Sequence, residues 1–202
     1  MKLGLFGGTF DPPHVGHLIV AQDAALALGL DCVSFIPAAQ PPHKQADAIT
    51  PSALRARMLE LAIADDARFA LDPVELERSG PSYTVDTLRA LRSRLPDAEL
   101  TLLIGHDQYA ELDTWREPEA VMALARLAVM TRGAVADGRV GEVEELGGGA
   151  VQVGVTRIDI SSTQIRARVR QGLPIRYLVA PAVEQFIIEN RLYGRNGIPV
   201  TG

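Results

Sequence analysis

The densest chemistry in the 202-residue sequence lies near its start, in Gly7-Gly8-Thr9-Phe10-Asp11-Pro12-Pro13-His14-Val15-Gly16-His17. Paired glycines let a backbone turn sharply and approach a ligand, and a helix that follows aims its free N–H groups and positive dipole end at the same place. That combination makes an anion site. His14 and His17 sit three apart in the first turn, so their rings project from one side toward the ligand region, where both can donate hydrogen bonds to phosphate. A His-x-x-His pair alone is equally compatible with two capping or core histidines, or with half of a metal site. Gly16 weakens the helix by about 1 kcal/mol, which points to something passing close to the backbone there.

A second segment lies far downstream, at Ile160-Ser161-Ser162-Thr163-Gln164-Ile165-Arg166. Ser161 and Gln164 have the spacing of a capping box, which a plain helix start explains. The same geometry offers free amides and hydroxyls to phosphate, and Arg166, one turn in, adds a planar cation. The sequence shows no convincing Ser/His/Asp or Cys/His set and no obvious pair of catalytic carboxylates.

These segments need a scaffold, and short apolar runs supply it. Leu3 to Phe6, Cys32 to Ile36, Leu100 to Ile104, Leu127 to Met130 and Val151 to Val155 read as strands buried on both faces. A first helix begins near Val15, with Val15, Leu18, Ile19, Gln22, Ala25 and Leu26 as its inward stripe, and ends at Gly29. A second opens at Thr50-Pro51, with Thr50 as N-cap and Leu54, Met58, Leu61 and Ala62 inward. A third covers about Val85 to Leu95 and stops at Pro96. Strands alternating with helices imply an α/β fold, a doubly wound Rossmann-like parallel sheet with helices on both faces. Such sheets bind ligands at the carboxyl ends of their strands. The stretch from Gly133 to Gly149, acidic and rich in glycine, is expected to be a mobile surface loop.

Composition sets the outer bounds. The length and the 47% hydrophobic content fit one packed domain over residues 1–202. A net charge of −5 argues against a general nucleic-acid binder. Arginine outnumbers lysine 18 to 2, for which genomic base composition is the plain cause, so Lys44 in a loop draws notice. Cys32 is the only cysteine, which excludes an intramolecular disulfide and a thiolate metal cluster. No apolar run reaches the length of a membrane span and no leader pattern opens the sequence, so a cytoplasmic protein without a membrane partner is expected.

Gly8 to His17 resembles the (T/S)-F-D-P-x-H-x-G-H signature of the nucleotidyltransferase superfamily, with a complete match. Ile160 to Arg166 resembles that superfamily's I-S-S-T-x-I-R segment. Three further segments are similar to the bacterial nicotinate-nucleotide adenylyltransferase family: Pro41-Pro42-His43-Lys44, then Pro81-Ser82-Tyr83-Thr84-Val85-Asp86-Thr87-Leu88, then Gly105-His106-Asp107 with Asp113-Thr114-Trp115-Arg116. The likeness spans residues 1 to about 193. It departs at His106, the variable place of G-x-D, and at Ala180, where relatives often carry proline.

The resemblance implies transfer of the adenylyl group of ATP to nicotinic acid mononucleotide, giving nicotinic acid adenine dinucleotide and pyrophosphate in NAD biosynthesis. Phosphopantetheine or nicotinamide mononucleotide as acceptor, or a non-catalytic nucleotide-binding module, are the alternatives. His14, His17 and Arg166 would be catalytic. Gly8, Thr9, Phe10, Gly105, Asp107, Ile160, Ser161 and Ser162 would join them in holding ATP. Asp11, Lys44, Tyr83, Thr84 and Trp115 would hold the nicotinate nucleotide, with amides of Tyr83 and Thr84 taking its carboxylate and Trp115 stacking on its ring. Magnesium would come mainly on the ATP phosphates, and no tight protein-only metal site is expected. No feature of the sequence specifies an oligomeric state.

Overall fold

The computed structural model describes residues 1–41, 49–132 and 141–194. Seven strands of the described residues form one sheet: β1 (Lys2–Gly8), β2 (Cys32–Pro37), β3 (Phe69–Leu71), β4 (Glu99–Gly105), β5 (Arg126–Arg132), β6 (Val143–Gly147) and β7 (Ala150–Val155). Their order is β3-β2-β1-β4-β5-β7-β6, and every neighbouring pair is parallel except β6 with β7. The expected doubly wound α/β architecture is the one found. All five apolar runs are strands of its buried centre.

Among the described residues seven α-helices accompany the sheet: α1 (Val15–Leu28), α2 (Ser52–Ile63), α3 (Thr84–Arg94), α4 (His106–Ala110), α5 (Pro118–Leu124), α6 (Ser162–Arg170) and α7 (Pro181–Glu189). Strand side chains alternate between faces, so Leu3 and Leu5 of β1 pack with Val85 and Leu88 of α3 and Val121 of α5, whereas Phe6 packs with Ala21, Ala24 and Ala25 of α1 and Leu59 of α2. A third cluster, built on Met58, Ile165, Val169, Val183 and Ile187, fastens α6 and α7 to the outer side of α2.

The chain winds outward from β1 to β2 and β3, then returns to place β4 on the other side of β1. At that reversal the loops after two adjacent parallel strands diverge and leave a crevice at the strands' carboxyl ends. Gly8 ends β1 there and Gly105 ends β4.

The structure corrects several expectations. In α1 the buried positions are Gly16, Ala21, Asp23, Ala24 and Ala25, while Gln22 and Leu26 face solvent. The helix is apolar around most of its circumference, so periodicity could not choose the face; small alanines win because they let it lie close to the sheet. Gly29 ends it as expected, in the left-handed conformation at φ 59°. In α2 the inward residues are Arg55, Met58, Leu59 and Ile63, with Leu54, Leu61 and Ala62 only half-buried. Its N-cap is Pro51; Thr50 instead spends its backbone N–H on Asp11 and its carbonyl on Arg55.

Of the expected loop over 133–149, residues 133–140 lie outside the described residues. Val143–Gly147 is the edge strand β6, which reaches β7 through Gly147, Gly148 and Gly149, all at positive φ. That conformation suits glycine, so the run closes a hairpin. Strand β3, three residues long, had no readable period.

Candidate active site

Two adjoining cavities open at the crevice. The larger, about 850 Å³, is walled by the β1–α1 loop, the start of α1, the end of β7 and the head of α6. The smaller, about 460 Å³, lies toward the head of α3 and the turn carrying Trp115. Gly7, Gly8, Thr9 and Gln108 line both.

Local sequence explains the shape of the first loop. A Cβ on Gly8 would meet the Phe10 ring at 2.9 Å, so only glycine fits beneath that ring. Phe10 itself sits at φ 48° and wedges its ring among Phe6, Phe35 and His17. Gly16 is also a matter of space, since a Cβ there would stand 3.0 Å from the His14 ring and 3.2 Å from Ile158.

His14 is the N-cap residue of α1 and His17 stands in its first turn. Their rings stack with centroids 3.6 Å apart, and the His14 backbone N–H donates to Nδ1 of His17 at 3.1 Å. Accepting at Nδ1 leaves the His17 proton on Nε2, free to be given to a ligand. Burial, and then the neighbouring His14, push the His17 pKa down to about 3. His17 is therefore a neutral donor in the physiological range.

The head of α6 closes the opposite wall. Gln164 N donates to Ser161 Oγ at 3.2 Å and Ser161 N to Gln164 Oε1 at 3.1 Å, completing the capping box. The helix is also tied to the first loop across about 150 residues: Ser162 Oγ donates to the Pro12 carbonyl at 2.8 Å and Arg166 to the Asp11 carbonyl at 2.7 Å. Ser161, Ser162, Thr163 and Arg166 of this helix head line the larger cavity.

The residues expected to hold ATP gather in the larger cavity, namely Gly8, Thr9, Phe10, His14, His17, Gly105, Ile160, Ser161, Ser162 and Arg166. Asp107 is not among them; it lies exposed on the first turn of α4, and the next residue, Gln108, lines the cavity. Tyr83, Thr84 and Trp115 meet in the smaller cavity. Asp11, expected with them, lines the larger one and is 4% exposed. Its carboxylate accepts from Tyr193 Oη at 2.6 Å and from Thr50 N at 3.2 Å. Lys44 lies outside the described residues.

Three contributors were missed by the sequence reading. Arg55, 1% exposed, donates to the carbonyls of Thr9 at 2.7 Å, Ala38 at 2.6 Å and Thr50 at 2.8 Å, so one side chain fixes three walls. Burial lowers its pKa, and the Asp11 charge opposes that. An arginine in register with Met58, Leu59 and Ile63 was the available signal. Glu75, 8% exposed, accepts from Thr87 Oγ1 at 2.7 Å and from Ser82; burial raises its pKa, against those hydrogen bonds. Ser82 Oγ also accepts from the amides of Ala39 and Gln40, fixing the loop after β2 to the head of α3. Tyr193 is the third, its phenol held well above the usual range by burial and by Asp11. Among the described residues no group of three or more His, Cys, Asp or Glu gathers as a metal cage, and no helix is long and apolar enough to cross a membrane.

Known proteins share this framework. Residues 5–168 match the cytidylyltransferase-like family model. A Shouchella clausii protein named "probable nicotinate-nucleotide adenylyltransferase" is 42% identical over 195 residues, covering 96% of this chain and 98% of its own. A Thermus thermophilus protein of the same name is 43% identical over 193 residues, covering 96% and 100%. Among solved structures, a Plasmodium falciparum nicotinic acid mononucleotide adenylyltransferase complexed with NaAD superposes with a TM-score of 0.74 at 18% identity, covering 95% of this chain and 97% of that one, a likeness of fold. The chain belongs to the cytidylyltransferase-like family and, within it, to the nicotinate-nucleotide adenylyltransferases.

Proposed function

We propose that the protein transfers the adenylyl group of ATP to the phosphate of nicotinic acid mononucleotide, producing nicotinic acid adenine dinucleotide and pyrophosphate in NAD biosynthesis. The observation that carries this reading is the pair of cavities with a common wall: phosphate-binding groups line one, and a helix head with an aromatic ring lines the other. Relatives at 42–43% identity bear the matching name.

The acceptor phosphate is largely dianionic at neutral pH, its second pKa being about 6, so it attacks without a general base. Its oxygen bonds to the α-phosphorus of ATP while the bond to the β-phosphate bridging oxygen breaks, and pyrophosphate leaves with that electron pair. The protein brings two anions into line and stabilises the departing charge. His14, the Nε2–H of His17, Arg166 and the heads of α1 and α6 are assigned that work. Gly8, Thr9, Phe10, Gly105, Ile160, Ser161 and Ser162 frame the ATP. Tyr83, Thr84 and Trp115 hold the nicotinate end. Asp11 is reassigned from nucleotide binding to support of the loop, because its carboxylate is occupied by Tyr193 and Thr50. Magnesium, held mainly by the ATP phosphates, would supply neutralisation of their charge. One domain over residues 1–202 and a cytoplasmic site of action belong to the same reading; the single sheet supports the first and the lone Cys32 the second.

The test is pyrophosphate release from ATP and magnesium by the purified protein, with nicotinic acid mononucleotide, nicotinamide mononucleotide and phosphopantetheine offered separately. Strong activity on the first, with much less on the second, is expected. Activity only on phosphopantetheine overturns the acceptor and keeps the chemistry. Nucleotide binding without pyrophosphate release from any of the three means a non-catalytic module.

A further inference from the structure

The smaller cavity has an unfavourable charge for an anionic ligand. Two carboxyl groups line it, Glu75 and Glu111, and among the described residues Arg116 is its one cationic side chain. Among the described residues, a ring carboxylate would find two carboxyl groups and no cationic side chain there without that arginine.

Arg116 is placed to answer this. Its guanidinium lies over the Tyr83 ring, 4.9 Å from the centroid, next to the head of α3, where the N–H groups of Tyr83 and Asp86 are taken by the Pro81 and Tyr83 carbonyls and those of Thr84 and Val85 precede the first helical acceptor. Its ion pairs are loose: 3.6 Å to Asp86 and 3.8 Å to Glu117, both beyond hydrogen-bond reach. Glu117 is instead held by Arg89, at 2.6 and 3.1 Å. The guanidinium thus keeps donors to spare, in a fork that matches a carboxylate.

We propose that Arg116 is a specificity-determining residue, whose side chain meets the carboxylate of the acceptor beside the amides of α3 and sets the preference for a carboxylate over a carboxamide on the ring. This rests on the proposed adenylyl transfer to nicotinic acid mononucleotide. The neutral carboxamide offers the guanidinium no charge, so the preference is electrostatic as well as geometric. The site is half exposed, and solvent screening keeps the effect to about tenfold, the equivalent of 1.4 kcal/mol.

The experiment compares wild type, Arg116→Ala and Arg116→Lys for kcat and KM with nicotinic acid mononucleotide and with nicotinamide mononucleotide, at low and high salt, with thermal melting as a check on folding. In Arg116→Ala, KM for the carboxylate substrate should rise about tenfold with kcat and the KM for ATP little changed. The carboxamide substrate should change less than about twofold, so that discrimination collapses. Arg116→Lys should recover part of it, and high salt should narrow the gap between wild type and the alanine variant. An equal loss on both acceptors in Arg116→Ala overturns the proposal, since that is the result of disturbing Tyr83 or Trp115. Unchanged discrimination overturns it as well. A wild-type protein inactive on nicotinic acid mononucleotide overturns the underlying reading, and is seen before any variant is compared.

Discussion

Tyr193, in the last described turn of the chain, donates its hydroxyl to Oδ1 of Asp11 at 2.6 Å, closing a contact across 182 positions. Asp11 and Arg55 both engage the Thr50 backbone: its N–H donates to the carboxylate and its carbonyl accepts from the guanidinium. Tyr193 therefore supports the loop that walls the larger cavity, without itself lining either cavity.

Tyr193→Phe removes one hydrogen bond to a charged group and leaves the ring. It should lower stability by about 1–2 kcal/mol, read from urea denaturation. KM for ATP should rise, with less effect on the acceptor, because Asp11 lines the larger cavity only. A variant with wild-type stability would show that the hydroxyl carries no load at Asp11.

Arg55→Met should be more damaging, by about 3 kcal/mol or more, since it strands the carbonyls of Thr9, Ala38 and Thr50 and leaves Asp11 without its buried countercharge. Arg55→Lys should not restore the loss, because an ammonium cannot span three carbonyls in a planar fork. Urea midpoints of both variants decide it. Recovery in the lysine variant would reduce Arg55 to a simple charge.

His17→Ala should slow the chemical step about 100-fold or more while the fold persists, as expected for a lost donor aimed at developing charge. Single-turnover kinetics separate that step from binding, and unchanged turnover removes His17 from the mechanism. The lowered pKa has a second consequence. Between pH 6.5 and about 3 the unfolded chain carries a proton on this histidine that the folded chain does not, so acid destabilises the fold across that window. Above 6.5 both states are neutral and the term vanishes. His17→Gln should lose less stability than wild type between pH 7 and pH 4, measured by denaturant titration.

Arg166→Ala should mainly weaken ATP binding, measured by calorimetry. Because Arg166 also donates to the Asp11 carbonyl, a small loss of stability should accompany it. Unaltered ATP affinity would count against the assignment.

What the sequence disclosed follows from range. The buried strands were legible because apolar runs persist over several residues, and the Ser161–Gln164 capping box because its partners are three positions apart. The β1–α1 loop was legible for the same reason. Arg55, Tyr193 and Glu75 were not, since their partners lie 5 to 182 positions away, mostly in other elements. The exchange of Asp107 for Gln108 has a different cause: the start of the short helix α4 sets which of two adjacent side chains turns inward, and the G-x-D pattern does not specify that phase.

The wall made by Gly7, Gly8, Thr9 and Gln108 belongs to both cavities, which changes how the two sides of the reaction are held. On the proposed assignment each substrate grips one compartment, and the dinucleotide product is a bivalent ligand whose halves are tethered over that wall. Once one half is seated, the other rebinds at a local concentration in the millimolar range, so the product is retained by avidity and must let go twice. Departure of the dinucleotide, rather than bond making, then becomes the natural brake on turnover.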